Sequence, residues 1–291
     1  MAVDLRAHFG PFDAAFTEGP NHAIEIAEDA ARTGYSFIIA CGGDGTINEV
    51  ANGIMRSGKD AELGLLPSGT GGDFRRTIGM PLHARDAAAA LRTGRTRVID
   101  VGEVAFLDEA GTDITRFFVN VSSVGLATSI ISRVKSANGV DWLPAGAVRG
   151  RANYAISTLR EVMDVEPFIL NVRFDDGEKH RLQTINFCVA NARYFGGGMK
   201  IAPDAKLSDG LLDVINIGDL STAQIIANAY TLYRGSHLQL DKVKSTLAER
   251  IEVTAQESAT EIRIETDGEL PGKLPATFRA IPNALKIRVP A

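Results

Sequence analysis

The sequence predicts an α/β domain followed by a β-rich domain, and three observations carry that reading. Apolar strand-like runs alternate with amphipathic helical patterns from Asn21 to about Arg97. From about Thr96 onward, short β-rich runs separated by turn residues dominate. Two glycine loops, each carrying one acid, lead from strand to helix in the first half. Buried strands alternating with helices imply a parallel sheet covered on both faces, whereas short strands with turn signals imply an antiparallel β-sandwich. A chain of 291 residues with 45% hydrophobic content is long enough for two such cores. The expected division is 1–98 for the α/β domain and 99–283 for the sandwich.

In the first half a helix pattern, HAIEIAEDAART (22–33), precedes the strand SFIIAC (36–41). The helix TINEVANGIMRSG (46–58) and the strand AELGLLP (61–67) follow, then a short helix after Thr70 and the helix ARDAAAALRTG (84–94). The second half reads as the strand runs RVIDVGEVAF, RFFVNVSS, FILNVRF, TINFCVANA, LLDVINIG, RIEVTA, EIRIETDGE and NALKIRVP. Helical patterns interrupt them at about 153–163 and 222–233.

Composition excludes several function classes. A formal net charge of −5 gives no general attraction to phosphate backbones, and no long basic patch offsets it, so no nucleic-acid partner is expected. The five histidines are scattered without metal-ligand spacing, which argues against a zinc site. Cys41 and Cys188 fall far apart on expected strands, as small buried hydrophobes in a reducing compartment. Asp4 and Arg6 stand where a signal peptide needs apolar residues, and no run approaches the roughly 18 apolar residues that cross a bilayer. A cytoplasmic location is expected.

The glycine loops carry the chemistry. In CGGDGTINE, Gly42, Gly43 and Gly45 let backbone approach a bulky anion, while the next helix directs unpaired amides and its positive dipole end toward it. Thr46 and Glu49 fit the capping-box spacing and mark the helix start. A carboxylate on a phosphate loop suits a magnesium shell, so Asp44 is a candidate there; a tight turn whose amides Asp44 satisfies is the alternative. The second loop, LPSGTGGDFRRTIG, places Asp73 in a helical first turn, three residues after a candidate N-cap at Thr70. Two such loops at the carboxyl ends of parallel strands face one crevice, where open α/β sheets bind ligands. Arg75 and Arg76 are either phosphate contacts or solvated surface arginines.

GGDGTINEV and LPSGTGGDFRRTIG, followed by NVSSVGL, YFGGGMKIAPDAKLSDGLLDV and TDGE, resemble the bacterial diacylglycerol kinase and related lipid kinase family, which includes sphingosine and ceramide kinases. The resemblance covers nearly the whole chain in order. It implies an N-terminal nucleotide-binding domain, a C-terminal β-sandwich, and ATP with Mg2+ in the cleft between them. By position, Gly42, Gly43, Asp44, Gly45 and Thr46 match the nucleotide loop, Thr70 and Asp73 match the second loop, and Thr17 matches a threonine ahead of the first helix that contacts nucleotide. The resemblance also implies that the last strand, 284–291, returns to the first domain. Two departures stand out. The family's opening strand and asparagine-proline-x-x-glycine loop are missing, so either the start lies upstream or this chain lacks a central strand and one phosphate contact. The usual asparagine before the second-loop aspartate is Gly72.

Two further acid sites follow. Asp209, next to Gly210 at a strand entry, suits either a plain turn or a hard cation; the resemblance implies a structural magnesium bound by Asp209 and main-chain oxygens of Lys206 and Leu211. Asp267-Gly268 between alternating runs is a strong hairpin signal. An acid on that turn is also placed to accept a proton in phosphoryl transfer. Similarity to the family favours Asp267 as the general base, with Glu269 on the same face orienting it or sharing the role. The expected reaction is direct transfer from ATP to a lipid hydroxyl, diacylglycerol giving phosphatidic acid. Its rivals are a kinase of a soluble acceptor, similar to NAD kinase, and a nucleotide- or lipid-binding protein without turnover. Trp142, with Leu143, Val148, Arg149 and Arg151 nearby, is either a membrane-surface contact or a buried tryptophan beside solvated arginines. An exposed sheet edge is compatible with a homodimer.

Overall fold

The computed structural model describes residues 2–68, 72–129, 131, 165–256 and 261–291. Thr70, the Trp142 segment and the helical pattern at 153–163 lie outside them.

β1 (Phe37–Gly42) and β2 (Glu62–Pro67) pair in parallel from Phe37 opposite Glu62 to Gly42 opposite Pro67. β2 is buried along its whole length, which is why ELGLLP reads as a continuous apolar run. β1 pairs only with β2 among the described residues, and its edge position leaves Cys41 exposed. The sequence reading had both cysteines buried; only Cys188 is. Around these strands lie α1 (Ala2–Phe9), α2 (His22–Arg32), α3 (Asp44–Ser57), α4 (Asp73–Ile78) and α5 (Ala84–Thr93).

The apolar spacing of α3 buries Ile47, Val50, Ala51 and Ile54 on one face, and Gly58 ends the helix in the left-handed conformation, φ 63°. The expected capping box is not formed. The helix begins at Asp44 with Gly43 as its N-cap, so Thr46 already lies inside it. Glu49 instead accepts the Asn21 and Ala23 amides, both at 3.0 Å, and so caps α2. The two helices meet where Gly53 has no side chain: a Cβ there would lie 2.3 Å from the Ile24 carbonyl oxygen. Gly53→Ala is therefore expected to cost about 1–3 kcal/mol, by overpacking a contact between helices. Chemical denaturation measures it, and an unchanged midpoint would contradict the close approach.

β3 (Arg95–Leu107) and β13 (Glu269–Val289) form a long antiparallel pair, from Leu107 opposite Lys273 to Arg95 opposite Val289. Their upper parts belong to the sandwich. Their other ends join the first domain, where Lys286 and Ile287 pair in parallel with Glu62 and Leu63 of β2. Leu285, Ile287 and Val289 are buried in the same core as α3 and β2. The pairing is interrupted between Ile281 and Leu285, and this irregularity is pinned by Asp100. The buried Asp100 carboxylate accepts the Asn283 amide at 2.8 Å and the Gly210 amide at 2.7 Å.

The remaining strands are β4 (Asp113–Phe118), β5 (Val121–Gly125), β6 (Phe168–Phe174), β7 (Lys179–Thr184), β8 (Asn186–Ala190), β9 (Leu212–Ile217), β10 (Val243–Ala248), β11 (Arg250–Ala255) and β12 (Arg263–Thr266). They pair antiparallel in the order β10-β9-β8-β5-β12-β13-β11-β6-β7, with β4 on β3. Their inward residues, among them Phe118, Val124, Phe187, Ile251 and Phe278, form a second core. The run RFFVNVSS proves to be two strands broken at Val119-Asn120. α6 (Thr222–Arg234) starts with a capping box between Ser221 and Gln224 and stops at Gly235, φ 75°.

Candidate active site

The parallel pairing of β1 and β2 delivers both glycine loops to the same end of the sheet. They are bonded together there: the Ser68 amide donates to the Gly42 carbonyl at 3.0 Å. The Asp44 carboxylate accepts the Asp73 amide at 3.0 Å and the Phe74 amide at 3.2 Å, placing a negative charge at the start of α4. Asp44 thus satisfies amides, as the turn alternative required, but those of the neighbouring loop. Thr46 folds over Gly42, where a Cβ would lie 2.4 Å from the Thr46 Oγ1, so only glycine fits. The first-turn amides of α3 lack intrahelical partners, so the start of this helix is chemically suited to an anion. Thr17 is exposed in the loop before α2.

Asp73 is buried and faces the second domain. It accepts the Gly197 amide at 2.8 Å and pairs with Arg76 at 2.8 Å. Burial raises its pKa and the Asp44 charge adds to that, while the Gly197 amide and Arg76 oppose it. Arg75 donates to the Met80 carbonyl at 2.7 Å.

The acid turn sits across from the first loop. Asp267 and Gly268 both take positive φ, 47° and 91°, which closes a two-residue hairpin between β12 and β13 with Thr266 opposite Glu269. This turn sends the two acids different ways, so they do not share a face as extended chain would require. Asp267 points inward and is 7% exposed. One oxygen accepts the Asn120 and Val121 amides at 3.1 and 2.9 Å, and the other accepts the Val119 amide at 2.9 Å and the Asn48 side chain at 2.8 Å. Burial pushes its carboxyl up to about 6 against the pull of these donors. Glu269 is exposed, and its Oε1 lies 3.8 Å from where a Cβ on Gly45 would stand. That places a carboxylate beside the first glycine loop.

Residues that the sequence reading missed connect these parts. Asn48 and Asn52, one turn apart on the buried face of α3, both donate to the Phe117 carbonyl, and Asn52 also accepts the Phe117 amide. The helix that starts at the first glycine loop is thereby fixed to β4 and to Asp267. Two asparagines among Ile47, Val50, Ala51 and Ile54 were the available signal, since buried amides need specific partners. Glu265 is the other omission. It is buried, accepting the Ser123 hydroxyl and the Gly268 amide, each at 2.6 Å. Burial, more than the nearby Asp267 and Glu269, pushes it up to about 7.

Glu265 gives a pH prediction. The folded chain keeps this proton to about pH 7, while an unfolded Glu releases it near 4.5. Unfolding then releases a proton in between, so stability falls as pH rises through that window. Glu265→Gln preserves both contacts and is expected to remove about 3 kcal/mol of that fall. Parallel slopes of Tm against pH in the two proteins would contradict it.

Asp209 lies exposed in the turn before β9, accepting the Leu211 amide at 3.3 Å, with Lys206 exposed nearby in the chain. Asp213, buried at the start of β9, is pushed up to about 6 by burial and by the Asp209 and Asp204 carboxylates. Among the described residues no three His, Cys, Asp or Glu side chains converge as a metal cluster.

The family profile described as the diacylglycerol kinase catalytic domain matches residues 2–104, and that described as the YegS C-terminal NAD kinase beta sandwich-like domain matches residues 129–289. A diacylglycerol kinase of Mycobacterium tuberculosis (strain CDC 1551 / Oshkosh) is 30% identical over 291 residues, 99% of this chain and 88% of that protein. The chain belongs to the diacylglycerol kinase family. The diacylglycerol kinase of Bacillus subtilis (strain 168) is 30% identical over 257 residues, 88% of this chain and 78% of that protein. A solved diacylglycerol kinase from Bacillus anthracis str. Sterne matches with a TM-score of 0.70 at 20% identity, covering 98% of this chain and 88% of that one, and shares its fold. The chain is accordingly an enzyme, a kinase of this lipid kinase family.

Proposed function

We propose that the chain transfers the γ-phosphoryl group of ATP to the primary hydroxyl of diacylglycerol, giving phosphatidic acid. The observation that carries this reading is Glu269 standing over Gly45 of the phosphate loop. A base across from the cradle is the arrangement that in-line transfer to a hydroxyl needs. The amides of Gly43 to Thr46 hold the phosphates, with Thr17 and the loop containing Thr70 completing the nucleotide contacts. Glu269 takes the hydroxyl proton as the acceptor oxygen attacks. Asp267, saturated by four donors, positions the turn that presents Glu269; this assigns the base to Glu269, where the sequence reading chose Asp267.

Carboxylate oxygens beside a phosphate cradle fit Mg2+, which takes one or two carboxylates together with substrate phosphates. Asp44 and Asp73 would hold it, and it would screen the phosphate charge. A second Mg2+ would be structural, on Asp209 and the main-chain oxygens of Lys206 and Leu211, where it would offset the Asp209 and Asp204 charges that add to burial in raising Asp213. The test is transfer from ATP to diacylglycerol, ceramide, a sphingoid base and NAD compared side by side. Phosphatidic acid as the main product supports the reading, and preferential phosphorylation of NAD would replace it.

A further inference from the structure

α6 presents an apolar face to solvent. Ile226, Tyr230 and Tyr233 follow the i, i+4, i+7 spacing of one helix face and are 54%, 58% and 56% exposed. Thr231 is the buried residue of the helix, and Leu232 packs against the small core around Ile201, Ala205 and Val243. A surface helix ordinarily turns its apolar stripe inward, because packing supplies most of its stability. This one turns the larger part of its apolar surface outward.

We propose that α6 docks the enzyme on the surface of a lipid bilayer. The inference rests on the lipid acceptor of the proposed function, and three features of the helix choose a bilayer over a second copy of the chain. Its outward face ends in two tyrosines, whose amphipathic rings suit the headgroup level. No acid occurs between Asp219 and Asp241, whereas Arg234 lies 5.7 Å above the Tyr230 ring. Anionic headgroups therefore meet a cation and no opposing carboxylate from this segment. The helix is also tied to the active site: the Leu232 carbonyl accepts the Lys200 amide at 2.7 Å. Lys200 follows the Phe195–Met199 hairpin, whose Gly197 amide holds Asp73 beside the phosphate loops. A bilayer under α6 thus lies against the element that borders the cleft, where a lipid hydroxyl must enter.

The test is sedimentation with vesicles of mixed phosphatidylcholine and phosphatidylglycerol. The chain is compared with the triple variant Ile226→Ser, Tyr230→Ser, Tyr233→Ser and the milder Tyr233→Glu. Removing three interfacial side chains is expected to weaken vesicle binding about tenfold or more. Turnover of a dispersed short-chain diacylglycerol is expected to stay unchanged in both variants, which also establishes folding. Vesicle binding equal to the parent in both variants overturns the proposal. So does a dimer of the parent that the triple variant converts to monomer with vesicle binding retained, since the face is then a contact between chains. Failure of the parent on every diacylglycerol would overturn the proposed function instead, while vesicle binding still decides the role of α6.

Discussion

Glu269→Gln is expected to lower kcat about 10² to 10⁴-fold with its thermal stability intact. The loss corresponds to about 3–5 kcal/mol of transition-state stabilisation. The side chain is exposed and stands past the hairpin turn, so its replacement by a neutral isostere leaves the turn closed. What disappears is the carboxylate beside Gly45 to which the proposed function gives the proton. KM for ATP should move little, because the α3 amides proposed to hold the phosphates are untouched. Initial rates over a range of ATP concentrations measure this, and near-normal kcat would return the base role to Asp267.

Asp267→Asn is expected to act differently, through the fold. Each Asp267 oxygen faces two N–H donors; of the four, three are the backbone amides of Val119, Asn120 and Val121, at the break between β4 and β5 and the start of β5, and one is from Asn48. An amide in either orientation sets its own NH2 against a pair of donors and leaves them unsatisfied. That substitution should cost about 2–4 kcal/mol of stability and reduce activity along with it. Thermal or chemical denaturation of the two variants separates the roles. A stable but inactive Asp267→Asn would contradict the positioning role; a destabilised one alongside a stable Glu269→Gln supports it.

Where the sequence was legible, the reason was local. The alternation of apolar runs with 3.6-residue periodicity located α2, β1, α3 and β2 within a few residues, because those elements bury one continuous face or strand. Asp267-Gly268 announced its turn for the same reason, since few residue pairs take positive φ twice in succession. What was hidden depends on partners distant in the chain. Asp44 meets amides 29 and 30 residues away, and Asp267 meets Asn48 across 219. Glu49 fitted a capping box by spacing but caps a neighbouring helix, because α3 starts earlier than the Thr46 signal implied. The break at Val119-Asn120 was invisible inside an apolar run, yet it frees the amides that bind Asp267. Which acid stands exposed beside Gly45 was thus not readable from spacing; it is set by the two-residue turn that buries Asp267.

One experiment addresses the central claim most directly: following label from the γ position of ATP into lipid, with Mg2+ present, in the parent chain and in Glu269→Gln. The account predicts labelled phosphatidic acid from diacylglycerol with the parent, and a rate at least about a hundredfold lower with the variant. Label that never leaves ATP for diacylglycerol in the folded parent, or that transfers equally well without the Glu269 carboxylate, would contradict it.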